Sequence, residues 1–157
     1  MAVFGKKSLE LLAPVHPALI QICMAAIEVY DFAVTEGERS REKQQAVFNQ
    51  KLSKVQWPKA MHCTVTPEEA QVLGIAPRPK SVAVDLAPVP IDWTEKTGIP
   101  RFFYLAGVMM TTARRLGIAI RWGHDWNKNN DFFDQKFQDA PHFELVLNAD
   151  GTLFVPK

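Results

Sequence analysis

The segment IPRFFYLAGVMMTTARRLG, 99–117, is the strongest helix signal in the chain, and Gly117 supplies its stop. The strand-like runs around it are short. DFAVTEG (31–37) ends at Gly37, VAVDL (82–86) is apolar around one aspartate, and IAIRW (118–122) alternates. HFELVL (142–147) leads through the turn NADG (148–151) to a last short strand, TLFVP. Strands and helices mix without a regular strand–helix–strand repeat. This order predicts an α+β fold: a small, mostly antiparallel sheet with helices packed on it.

Three further helices are expected. PALIQICMAAIEVY (17–30) sets Leu19, Ile22, Cys23, Ala26 and Ile27 at helical spacing toward a core. Ser40 is a good N-cap for REKQQAVFNQKL, without a capping box because Lys43 stands three positions on. Pro58, Pro77, Pro79 and Gly74 break the pattern between 53 and 81, except in TPEEAQVLG (66–74), where Thr66 can cap and Pro67 takes the first helical position. With 157 residues, a single domain, 1–157, is expected, and it is long enough to bury a core.

Eighteen basic and seventeen acidic residues leave a net charge of +1, so no broad field draws the chain to nucleic acid or a membrane surface. The N-terminal MAVFGKKSLELLAPVHP is broken by Lys6, Lys7, Glu10 and Pro14, unlike a secretory signal. No run approaches the roughly 18 apolar residues of a membrane span. Synthesis in the cytosol without stable membrane association is therefore expected. Two cysteines are too few for a disulfide framework, and Cys23 reads as packing. No long heptad or apolar patch stands out, so a monomer is expected.

Chemistry concentrates on histidines and carboxylates. His16 lies in an N-terminal turn between Pro14 and Pro17. His142 opens a strand in QDAPHFELV, three residues after Asp139 and two before Glu144, and reads either as a core histidine or as a ligand. Asp85 sits inside an apolar strand. Burying a carboxylate there costs several kcal/mol unless it is paired or bound to a cation, so it either faces solvent or ligates. Catalytic zinc sites use three protein ligands and an open water position, and His62, Asp85 and His142 supply such a set. Zinc brings the pKa of its water to roughly 7. A neighbouring carboxylate must then move the water's proton to the leaving amine, and Asp139 is the candidate.

Read together, these pieces resemble the D-alanyl-D-alanine carboxypeptidase-like (LAS) zinc metallopeptidases. Within them the chain is similar to the L-alanyl-D-glutamate peptidases that serve as bacteriophage endolysins. The resemblance runs from FGKKSLELLAPVHPAL through VTEGERS, SVAVDLAP with the following IDW, and LGIAIRWGHDWNKNNDFFD to DAPHFELV. It implies that fold, with Asp85 and His142 as zinc ligands, Asp139 as general base and Arg39 as the guanidinium that steadies the oxyanion or holds the substrate. It also implies peptidoglycan as substrate. The enzyme would wait in the host cytoplasm and reach the wall at lysis through a separately made membrane hole.

The compact family pattern places the first histidine seven residues before the aspartate. Here that position is Arg78, and Ser81 stands where the pattern has glycine. His62 in KAMHCT is the nearest upstream histidine, implying a loop insertion over 63–81, with Cys63 and His124 as rival ligands. Trp122 and Trp126 read equally as groove or core. Asp125, Asn127, Asn129 and Asp131 alternate as in the first half of a calcium loop, but Asn130 and Lys136 replace its glycine and its bidentate glutamate. A solvated loop is the plainer reading, with Ca2+ the alternative. Two other functions remain open. One is D-alanyl-D-alanine cleavage with the same chemistry, Arg78 or Lys80 holding a terminal carboxylate. The other is a metal-free, inactive wall-binding relative.

Overall fold

The computed structural model describes residues 1–155. In chain order the elements are α1 (Lys6–Leu12), α2 (Pro17–Ala26), β1 (Phe32–Glu36), α3 (Arg41–Asn49), α4 (Pro67–Leu73), β2 (Ala83–Pro88), α5 (Ile99–Arg115), β3 (Ile120–Trp122) and β4 (His142–Leu145). The sheet order is β1-β2-β4-β3, and every neighbouring pair is antiparallel. The expected α+β architecture is what forms.

The helix ends follow local chemistry. The Ser40 hydroxyl accepts from the Lys43 N–H at 3.2 Å. Thr66 does more than expected: with Glu69 it closes a full capping box. His16 is a cap too, its Nδ1 accepting from the Ala18 N–H at 3.2 Å. At the end of α5, Gly117 takes φ 70°, a left-handed stop that a Cβ disfavours.

Several elements are shorter than the sequence pattern. α2 ends at Ala26 and α3 at Asn49. β4 ends at Leu145, and the expected strand over 152–156 shrinks to a single bridge between Leu147 and Leu153, Pro156 lying outside the described residues. α1 was not anticipated. Its buried Ser8 accepts from the Val34 N–H at 3.1 Å, giving the edge strand β1 a partner on its open side.

The sheet has two chemically distinct faces. Val84, Leu86, Phe143, Leu145, Ile120 and Trp122 are buried in the apolar core. α5 adds Phe102, Leu105, Ala106, Met109 and Ala113 to it, a stripe at helical spacing. Strand side chains alternate, so the intervening positions face the other way. Those positions are Asp85 on β2, His142 and Glu144 on β4, and Arg121 on β3. Asp85 is the register partner of His142, and Arg121 that of Glu144. The fold thus gathers a polar cluster in the middle of the sheet, backed by its core.

Candidate active site

Three donor atoms meet on the polar face. His62 Nε2 lies 3.1 Å from Asp85 Oδ1 and 3.1 Å from His142 Nδ1, and His142 Nδ1 lies 3.2 Å from Asp85 Oδ1. His62 and His142 are buried. This His–Asp–His set is the metal-capable cluster among the described residues.

Each histidine is mounted through its outward nitrogen. His62 Nδ1 lies 2.6 Å from the Gly37 carbonyl, so its proton points there and its Nε2 lone pair faces the cluster. The same turn returns a bond: the Arg39 N–H donates to the His62 carbonyl at 3.0 Å. His142 Nε2 lies 2.9 Å from Glu144 Oε2, which leaves Nδ1 facing inward.

The electrostatics of the cluster favour a cation. Burial raises the cost of ionising Asp85, yet His62 and His142 hold its carboxyl well below the usual range. Burial opposes charge on His142, but hydrogen bonds to Asp85 and Glu144 outweigh it and push its pKa up to about 10. Without a metal, a proton on His142 meets that demand.

A cavity of about 550 Å³ opens on the cluster, lined also by Arg39, Gln44, Trp126 and Asp139. Burial, then repulsion from Asp85, raises the Asp139 carboxyl above its ordinary value. That favours a group that both takes and returns a proton. Asp139 is set by backbone bonds, its N–H donating to Gly123 O at 2.8 Å and its carbonyl accepting from the His142 N–H at 3.1 Å. The packing at Gly123 is close. A Cβ there would fall 2.4 Å from the Asp139 carbonyl oxygen and 2.9 Å from His142 Cβ.

Arg39 is clamped on three sides. Nη1 donates to Gln44 Oε1 at 2.9 Å, while Nη2 donates to Glu36 Oε2 at 2.6 Å and approaches Asp85 Oδ2 at 3.5 Å. Its Nε is buried without a partner among the described residues.

Comparisons with known proteins identify the family. The sequence profile described as phage L-alanyl-D-glutamate peptidase matches residues 1–146. The chain belongs to that family. An L-alanyl-D-glutamate peptidase of Escherichia phage T5 is 29% identical over 152 residues, covering 91% of this chain and 97% of the relative. The crystal structure of the Serratia marcescens L-Ala D-Glu endopeptidase ChiX shares the fold, with a TM-score of 0.62 and 23% identity over 92% of this chain and 90% of that one. Family membership makes this chain a peptidase acting on peptidoglycan.

The other candidate residues sit differently in the structure. Cys63 is buried beside His62 but outside the metal-capable set. His124 is stacked on Trp122 with Nδ1 3.0 Å from the Phe132 carbonyl, so it is structural packing. Trp122 is core, its indole N–H donating to Ala140 O at 2.7 Å, whereas Trp126 lines the cavity. Arg78, at the compact pattern's histidine position, is a brace. Its guanidinium donates to the carbonyls of Cys63, Pro58 and Ala60 at 3.0, 2.7 and 2.9 Å, holding the loop that carries His62. In the loop after β3, Asp125 accepts from the Asn129 and Asn130 N–H groups, and Asp134 accepts from the Asn127 and Asn129 amides.

Sequence reasoning missed Glu144, Arg121 and Gln44 as site residues. The signal for Glu144 was present: two residues after His142 on a strand, it shares that face.

Proposed function

We propose that this chain is a zinc-dependent endopeptidase that hydrolyses the L-alanyl–D-glutamate bond of peptidoglycan stem peptides during host lysis, in a single catalytic domain acting as a monomer. The observation that carries the reading is the His62–Asp85–His142 cluster beside Asp139. Nitrogen and oxygen ligands about 2.0–2.1 Å from tetrahedral zinc stand roughly 3.3 Å apart. The donor atoms here are separated by 3.1 to 3.2 Å. Both inward nitrogens carry lone pairs once the outward ones hold the protons. The donor set therefore fits zinc, with His62, Asp85 and His142 as its ligands.

Zinc bound there supplies a Lewis acid and an acidified water. The remaining work belongs to side chains. Asp139 takes the water's proton and gives it to the leaving amine, which suits a carboxyl whose pKa is raised. Arg39, whose side chain lines the cavity, steadies the carbonyl oxygen as negative charge builds on it. Its clamps by Glu36 and Gln44 hold the guanidinium in place beforehand. The enzyme would stay in the host cytoplasm until lysis; no helix among the described residues is long and apolar enough to cross a membrane.

The test is zinc content by elemental analysis together with mass spectrometry of products from purified muropeptides. One zinc per chain and fragments with a new N-terminal glutamate support the reading. Release of free D-alanine instead would move the activity to the D-alanyl-D-alanine bond. No observation favours that reading: neither Arg78 nor Lys80 lines the active-site cavity, and Arg78 is spent on three carbonyls. A protein without zinc or cleavage would leave only the wall-binding alternative.

A further inference from the structure

We propose that Glu144 is a positioning residue for the metal centre: it fixes His142 as an Nδ1 ligand and adds a negative charge behind it. The inference rests on the zinc reading above and extends it to a residue outside the metal-capable set. Glu144 is 4% exposed. A carboxylate buried so deeply needs compensation, and here both oxygens have it. Oε2 faces His142 Nε2 at 2.9 Å. Oε1 accepts from Arg121 Nε at 3.0 Å and from Arg121 Nη2.

Arg121 is itself held. Its guanidinium carbon lies 5.2 Å from the Trp126 ring centre, and Nη1 donates to the Trp126 carbonyl at 3.4 Å. The Trp126 ring centre is 5.4 Å from that of His142, and its indole N–H donates to Phe137 O at 2.8 Å. His142, Glu144, Arg121 and Trp126 therefore form a closed circuit of contacts around one imidazole. Turning that ring to offer Nε2 inward would take Nε2 away from Glu144 Oε2 and break the circuit. A carboxylate behind a histidine also raises the basicity of the ligating nitrogen, and its charge does so more than a neutral acceptor.

The experiment compares wild type, Glu144→Gln and Glu144→Ala. Zinc affinity is measured on the metal-free proteins by competition with a chromophoric chelator. Imidazole tautomers of the zinc forms are read by NMR on protein labelled with ¹⁵N-histidine. We expect a roughly 10–100-fold loss of zinc affinity in Glu144→Ala, with a smaller loss in Glu144→Gln, which keeps an acceptor but not the charge. In wild type, His142 should carry its proton on Nε2 and His62 on Nδ1. A purely structural role would leave affinity and tautomers unchanged in any variant that folds. Variants within about 2-fold of a zinc-binding wild type would overturn the positioning role alone. A wild type that binds no zinc would overturn the zinc reading and this one with it. Should neither variant fold, the wild-type tautomer decides: His142 ligating through Nε2 sinks the proposal.

Discussion

The two histidines of the cluster differ in how they are mounted. His62 comes from an irregular loop and leans on a neutral carbonyl, Gly37 O at 2.6 Å. His142 comes from a central strand and leans on a carboxylate, Glu144 at 2.9 Å. A strand fixes the Cα by register, so its supporting residue is free to add charge. A loop must first be made rigid, and the residues around His62 serve that end: the backbone bond from the Arg39 N–H to the His62 carbonyl and the three-carbonyl brace from Arg78. One histidine is placed by the sheet and supported by a charged side chain. The other is placed by a braced loop and supported by nothing charged.

The largest effects come from removing either ring. His62→Ala and His142→Ala should each abolish stoichiometric zinc and muropeptide cleavage, losses beyond the roughly 10–100-fold expected of a supporting residue. Elemental analysis of both purified variants checks this. Full zinc in one of them would mean that the two mounts do not serve one site. Next in size is Asp139→Asn, which leaves both mounts intact. It should cost about 10²- to 10⁴-fold in kcat with zinc retained. Loss of zinc along with activity would instead make Asp139 a ligand.

The carboxylate mount should also show in pH dependence. Without metal, the His142 pKa is pushed from 6.5 up to about 10. A raised pKa contributes folding stability that is fully present below 6.5 and is lost as pH climbs toward 10. Zinc needs the same nitrogen free of its proton. Apparent zinc affinity should therefore rise by about tenfold per pH unit across that window, with one proton released per metal bound. Calorimetry in buffers of different ionisation enthalpy counts the protons. No release would mean that His142 is already neutral in the metal-free protein.

Much of this arrangement was readable from the sequence, for identifiable reasons. Asp85 stood out because a carboxylate in an apolar strand needs a partner, and the register supplies His142 opposite it. Asp139 followed from its nearness in sequence to His142. What stayed hidden depended on tertiary placement. Nothing local separates Trp122 from Trp126, yet strand alternation sends the first into the core while the loop after it swings the second to the cavity. Arg78 read as a missing histidine or a substrate clamp, because its three carbonyl partners are loop groups whose position no pattern encodes. α1 was missed because it is only seven residues long and leans on β1 for support.

The smallest expected effects separate what holds His62 from what merely lies nearby. The stretch after His62 closes through paired backbone bonds between Val65 and Arg78, at 2.7 and 2.8 Å, with α4 carried inside the closure. Thr66→Ala removes the cap of α4 and should cost about 1 kcal/mol of stability. Since α4 contributes no residue to the cavity, zinc affinity should not move. Arg78→Gln is the contrasting change. It takes the guanidinium donor from the carbonyls of Pro58, Ala60 and Cys63, of which Ala60 keeps the Cys63 N–H, at about 0.5–1.5 kcal/mol for each hydrogen bond lost. Because those carbonyls flank His62, part of that cost should appear as weaker zinc binding as well as a lower Tm. Equal zinc affinity in the two variants would mean that the Gly37–Arg39 turn alone orients His62, and that the brace serves only the fold.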